Sequence, residues 1–243
     1  MNTQNLKLKF LFFFCALPLI HFGQMKAQWV PPLDIPIQLS GTFGEFRSNH
    51  FHAGLDIRTQ GRQGLKVKSV QNGWVNRIRV STSGYGKAIY IQHYDGTTSV
   101  YAHLKKFAPK IEAYVTERQY QKESYTIYLF PKSEVLKVDS GELVGFSGNT
   151  GGSYGPHLHF EVRNSSNQNP INPMEYPLEI KDSQRPQIQN LYIYDGIHPD
   201  SKKKEFPLVK KNDSVYTTAG IHTGGKINVG LRLFDRQDLS YNK

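Results

Sequence analysis

Two short spacings in this chain bring metal-binding side chains together. His52-Ala-Gly-Leu-Asp56 sets an imidazole and a carboxylate four residues apart, and His157-Leu-His159 sets two imidazoles two apart. Residues two apart on a β-strand point to the same face, so His157 and His159 can address one site. A catalytic zinc takes three protein ligands and keeps a fourth position for water, and two histidines with one aspartate meet that count. Water on such a zinc titrates at about pH 7 rather than about 15.7, which makes hydroxide available at neutral pH. The chain has nine histidines, so others remain for proton transfer. Its one cysteine, Cys15, lies in an apolar N-terminal run. Once that run is removed, cysteine ligands, cysteine nucleophiles and disulfides are excluded, and any metal must be held by histidine and carboxylate.

The residues around these pairs read as short strands. Leu65 to Val70 precedes a turn at Asn72-Gly73 and a strand from Trp74 to Val80. Lys87 to His93 and Thr97 to Leu104 flank Asp95-Gly96, a strong hairpin signal. Val144 to Ser147 and Leu158 to Val162 add two more, so the fold class is mainly β with an antiparallel sheet core. Ile111, Tyr114 and Val115 have helical spacing and Tyr125 to Phe130 alternates, which predicts an insertion over about residues 109–130 of one helix and an edge strand. Trp29 to Ser40, with three prolines, reads as an extended lead-in. Ile188 to Tyr194, and the alternating Ile227, Val229, Leu231 and Leu233, predict a partial β-sandwich-like C-terminal region with a half-buried strand. The expected organisation is a leader over 1–28, a lead-in over 29–40, a core domain over 41–178 and a C-terminal β-rich region over 179–243.

The leader reads as a secretory signal: Lys7 and Lys9, then an apolar run from Phe10 to Ile20, then a small residue at Ala27 before the expected cleavage. As a helix that run is about 16 Å long against a hydrocarbon core of about 30 Å, too short for a stable span. The net charge of +10 includes three lysines of the leader, Lys7, Lys9 and Lys26, and falls to +7 without them. A basic exported chain suits an anionic cell envelope, although screening over about 8 Å confines the effect to local steering. Export, and the lack of a basic helix or a base-stacking aromatic motif, argue against a nucleic-acid partner.

Longer strings surround the paired residues. Gly41-Thr-Phe-Gly-Glu-Phe-Arg47-Ser-Asn-His50-Phe-His52-Ala-Gly-Leu-Asp56, then Val100-Tyr-Ala-His103-Leu, then Ser147-Gly-Asn-Thr-Gly-Gly-Ser-Tyr-Gly-Pro-His157-Leu-His159-Phe-Glu-Val162 occur in this order. They resemble the signatures of the lysostaphin and LytM type of peptidoglycan metalloendopeptidases over roughly Gly41 to Tyr176. The resemblance implies an exported or periplasmic peptidase with one zinc per chain, held by His52, Asp56 and His159. It implies that His103 and His157 are catalytic and that the substrate is the stem peptides of peptidoglycan. Relatives cut glycine bridges or the D-alanyl bond to a diamino acid, and the Gly41 to Leu55 segment leans towards the second. Members without the full residue set act as protein partners of other wall hydrolases, which leaves envelope proteins as an alternative class of partner.

The insertion departs from the smallest members and bears on access to the groove. Arg47, His50, Tyr101 and Glu161 are further candidates, as supports for the site histidines or as substrate contacts. His93 reads as structural, and His21, His198 and His222 as lying outside the site. Gly148, Gly151, Gly152 and Gly155 form tight turns rather than a phosphate loop, since no Gly-Lys-Ser/Thr follows.

Overall fold

The computed structural model describes residues 29–195, 203–222, 225–238 and 240–241. The leader expected over residues 1–28, with His21, lies outside them, as does His198. In chain order the first region contains β1 (Leu39–Gly41), β2 (Leu55–Arg58), β3 (Lys66–Lys68), β4 (Gly73–Val80), β5 (Ala88–His93), β6 (Thr97–Ala102), β7 (Lys106–Phe107), α1 (Pro109–Gln121), β8 (Ile127–Leu129), β9 (Lys137–Val138), β10 (Leu143–Phe146), β11 (His157–Asn164) and β12 (Pro170–Ile171). The main sheet runs β1-β2-β11-β6-β5-β4-β8, with β12 on β11 and β9 on β4, and its pairings are antiparallel. A smaller sheet has the order β3-β10-β7. This antiparallel core with one inserted helix is the architecture that the strand signals imply.

The alternation of β11 explains how the sheet separates core from chemistry. Leu158, Phe160 and Val162 are fully buried in one cluster with Leu55, Ile57, Ile89 and Ile91 of the main sheet, Phe107 and Val144 of the smaller sheet, and Ile111 and Val115 of α1. Each such side chain contributes about 1.5–3 kcal/mol by leaving water, and Phe160→Ala would cost about 3–5 kcal/mol. The intervening residues His157, His159, Glu161 and Arg163 point to the other face. There a second small cluster, Ala88, Tyr90, Val100 and Ala102, packs under Tyr85.

Pro109 opens α1 without losing a needed N–H, and Glu112 in its first turn accepts the Phe107 N–H at 2.6 Å. Between β5 and β6, Gly96 adopts φ +86°, and Asp95 Oδ1 accepts the Thr97 N–H at 2.9 Å. The stretch before Gly41 is built into the core. Trp29, Leu33 and Ile37 are buried in it, and backbone bonds join Val30 N–H to Val70 O and Lys68 N–H to Pro32 O, each at 2.9 Å.

The C-terminal region has β13 (Gln187–Asp195), β14 (Lys203–Pro207), a hairpin of β15 (Val209–Lys210) and β16 (Tyr216–Thr217), and β17 (Ile227–Phe234), with a sheet order of β14-β13-β17. The period-two pattern at Ile227–Phe234 does form a strand, but the expectation of a half-buried one needs correcting. Val229, Leu231 and Leu233 are 61%, 53% and 53% exposed. That part of the β17 face is open to solvent, although Ile193 of β13, the cross-strand partner of Val229, is buried. No helix among the described residues is long and apolar enough to cross a membrane.

Candidate metal centre

Strands β2 and β11 are neighbours, and their register sets His159 directly opposite Asp56. His52 reaches the same point from the loop before β2. Gly54 permits that approach, because a Cβ there would overlap the carbonyl oxygen of Phe160. One ligand-capable atom each from His52, Asp56 and His159 then lies within 4.8 Å of the others. His52 Nε2 is 3.1 Å and His159 Nδ1 is 3.0 Å from Asp56 Oδ1, and the two nitrogens are 3.1 Å apart.

The outer atoms of these groups are all committed. His52 Nδ1 donates to Thr42 O at 2.8 Å, and His159 Nε2 donates to Glu161 Oε1 at 2.8 Å. Both partners are acceptors, so the inner nitrogen of each neutral ring presents a lone pair. Two lone pairs and a carboxylate oxygen converging at about 3 Å repel one another unless a cation lies among them, and this donor set fits zinc. Burial alone would raise the Asp56 carboxyl, but the imidazoles of His157, His159 and His52 around it outweigh burial and hold it far below the usual carboxylate range. Burial alone would lower His159, but Asp56 and Glu161 outweigh it and raise its proton affinity above the ordinary value. The cluster therefore favours positive charge at its centre. Arg47 Nη2 donates to Asp56 Oδ2 at 2.9 Å and is itself held by Glu45 at 3.0 Å. Gly41 leaves room for this triad, since a Cβ there would overlap both Arg47 and Asp56.

Two further histidines stand beside the cluster, with ring centroids 4.8 Å apart. His103 follows β6 at φ +57°, a conformation that costs about 1–3 kcal/mol for a residue with a side chain and persists where the surroundings impose it. Here its N–H donates to Tyr85 O at 3.0 Å and its Nδ1 to Thr150 O at 2.8 Å. Burial lowers the ring to about 4 despite the Thr150 bond, so it is neutral at pH 7 with Nε2 free to accept a proton. His157 Nδ1 lies 2.8 Å from Gly155 O, and its Nε2 lies 3.5 Å from Asp56 Oδ1.

Of the other sequence candidates, Glu161 and Arg47 are brought to the cluster and two are not. His50 is exposed, with Nδ1 2.6 Å from Asn49 Oδ1. Tyr101 points into the core on the opposite sheet face, where its hydroxyl accepts from Val70 N–H at 2.9 Å and Ser99 Oγ at 3.0 Å. His93 is buried against Asn72 O and Ser99 Oγ, and His222 is exposed in the C-terminal region. Three residues at the site were not singled out in the sequence. Arg163 Nε bonds Glu161 Oε2 at 2.5 Å, the Tyr85 hydroxyl donates to Glu161 Oε1, and Thr150 supplies the carbonyl behind His103. Arg163 follows Glu161 by two on the same strand face, which was a readable signal. Tyr85, in a Ser-Gly-Tyr-Gly turn, carried none.

A family model described as peptidase family M23 matches residues 50–120 and 119–173. The chain is 33% identical over 127 residues to the DD-carboxypeptidase/endopeptidase Mpg of Neisseria meningitidis serogroup B, covering 52% of this chain and 23% of that protein. It is 29% identical over 116 residues to lysostaphin of Staphylococcus simulans, covering 46% of this chain and 19% of that protein. The chain thus spans about a quarter or less of the length of these curated relatives. A solved zinc-containing peptidase from Vibrio cholerae is similar at 25% identity and a TM-score of 0.46, over 63% of this chain and 41% of that one. With matched segments that run together from residue 50 to residue 173, just over half of its length, the chain belongs to peptidase family M23.

Proposed function

We propose that this chain is an exported zinc endopeptidase that hydrolyses peptide cross-links of peptidoglycan. In this reading His52, Asp56 and His159 hold one zinc per chain, and His103 and His157 move protons. A leader over 1–28 directs export, residues 41–178 form the peptidase domain, and 179–243 are appended to it. The observation that carries the reading is the convergence of three acceptor atoms, all braced from behind, beside two histidines that belong to neither brace nor cluster. Membership of family M23 supports a peptidoglycan metallopeptidase-like activity, and similarity to the DD-carboxypeptidase/endopeptidase of Neisseria supports an endopeptidase.

Zinc, when held there, supplies Lewis acidity towards a peptide carbonyl and a nucleophile available near neutral pH. Thr42 O and Glu161 fix the tautomers of His52 and His159, and Arg47 occupies the second oxygen of Asp56. His103, with its Nδ1 proton on Thr150 O, presents Nε2 as a base, and the ring of His157 stands beside it with centroids 4.8 Å apart. Together they take the proton from attacking water and return it to the leaving amine, a service worth about 10²–10⁴ in rate.

The test is digestion of defined cross-linked muropeptides by the purified protein, with and without a chelator, and identification of the products by mass. The expected result is conversion of cross-linked dimers to monomers, lost on chelation and restored by zinc, with the products naming the bond. No zinc-dependent cleavage of any cross-link would overturn the reading in favour of a non-catalytic partner of another wall hydrolase.

A further inference from the structure

Four arginines lie on the sheet face that carries His159, and they are not equivalent. Arg58, on β2 opposite His157, donates Nε to the Leu39 carbonyl at 3.4 Å. Arg163 is neutralised by Glu161. Among the described residues Arg77 and Arg79, both on β4, have no acidic partner, and the buried Nε of Arg77 has no hydrogen-bond partner. Aromatic rings hold them in place. The Arg77 guanidinium lies 4.7 Å from the Tyr90 ring centroid and 5.7 Å from that of Phe130, and Arg79 lies 5.9 Å from that of Tyr128. Cation–π contacts of this kind steady the guanidinium, and among the described residues no hydrogen bond engages the Nη groups of either arginine. Two such cations, two residues apart and about 7 Å from each other along the strand, have no counter-charge of their own.

The register connects them to the metal centre. Arg79 pairs with Ala88, the Ile89–Tyr101 pair places Ala88 opposite Ala102, and Ala102 pairs with His159. Arg79 and His159 therefore stand on one cross-strand row, three strand spacings or about 14 Å apart. That distance equals about four extended residues. The Ser81–Gly86 turn arches between them, with Tyr85 packed on Ala88 and Ala102, and Gly84 lies beside the Arg79 guanidinium. A peptide crossing this turn from the centre meets the arginines about four residues on.

We propose that Arg77 and Arg79 form a carboxylate-binding subsite for the stem peptide of the substrate, set across the Ser81–Gly86 turn from the metal centre. The proposal rests on the peptidase reading and adds a charge requirement to it: the substrate must carry a free carboxylate at that distance from the cleaved bond. Charge-assisted hydrogen bonds are the strong kind.

The experiment compares wild type with an Arg77→Gln/Arg79→Gln double variant and an Arg77→Lys/Arg79→Lys double variant. The substrates are cross-linked muropeptides with free stem carboxylates and the same molecules amidated. For the free-carboxylate substrate the glutamine variant should raise KM about tenfold to a hundredfold, with kcat within about twofold and zinc content equal to wild type. The lysine variant should recover part of the loss, and the amidated substrate should respond little to either. Equal KM changes with both substrates, or none with either, would overturn the subsite. If wild type cleaves nothing, the peptidase reading fails on its own, and titration of a free-carboxylate stem tetrapeptide into the three proteins still decides this one. Weaker binding to the glutamine variant supports it, and equal binding overturns it.

Discussion

Asp56 and His159 sit within paired strands and are braced by charged side chains, whereas His103 and His157 sit at strand ends and are braced by backbone carbonyls. Behind the first pair stand Arg47 and Glu161; behind the second stand Thr150 O and Gly155 O, from the loop that leads into β11. The consequence shows in proton affinity. Burial opposes a charged imidazole in both places, yet the flanking carboxylates raise His159, while His103, with only a carbonyl, falls to about 4. A carboxylate brace suits a group that faces a fixed cation. A carbonyl brace, which the ligand His52 also receives from Thr42 O, fixes the tautomer without fixing the charge, and at His103 it leaves the ring able to gain and lose a proton.

The largest break in this contrast comes from Asp56→Ala, which should reduce zinc from one per chain to none measurable by atomic absorption and abolish cleavage. Retained metal would remove Asp56 from the ligand set. Next is Glu161→Gln, which weakens the brace behind His159 and should lower zinc affinity about 10–100-fold in a chelator competition. An unchanged affinity would make Glu161 a packing residue only. Gly86→Ala addresses the other side, since Gly86 has φ +62° and a Cβ there would overlap Thr150. It should cost more than about 1 kcal/mol in urea unfolding and slow turnover while zinc affinity holds; a matching loss of zinc would show that the two sides are not separable.

The smallest effect lies away from the site. Burial lowers His93 from its ordinary 6.5. As pH falls below about 6.5 the unfolded chain takes up this proton first, so the stability that His93 contributes is present above that pH and declines below it. Urea midpoints of wild type should fall with acidification more steeply than those of His93→Gln, and parallel curves would contradict this.

Much of the site was legible because β11 has a strict period of two. Once Leu158, Phe160 and Val162 are assigned to the core, His157, His159 and Glu161 must share the opposite face. The helix was legible in Ile111 and Val115, which are its buried residues. Thr150 was not, because the group that matters is a carbonyl that every residue possesses. Tyr85 was not, because its contact with Glu161 depends on how a glycine turn folds over three strands. Tyr101 misled because it stands two before His103, where a continuous strand would put both on one face, but β6 ends at Ala102 and His103 turns off the strand at φ +57°. The burial of β17 was misread for a different reason: alternation reports a strand with an apolar face but not whether another layer covers it.

The most direct test of the account is to measure zinc content and muropeptide cleavage on one preparation of His103→Ala. The account predicts one zinc per chain, as in wild type, with cleavage slowed about 10²–10⁴-fold. Wild-type cleavage, or loss of the zinc, would contradict it.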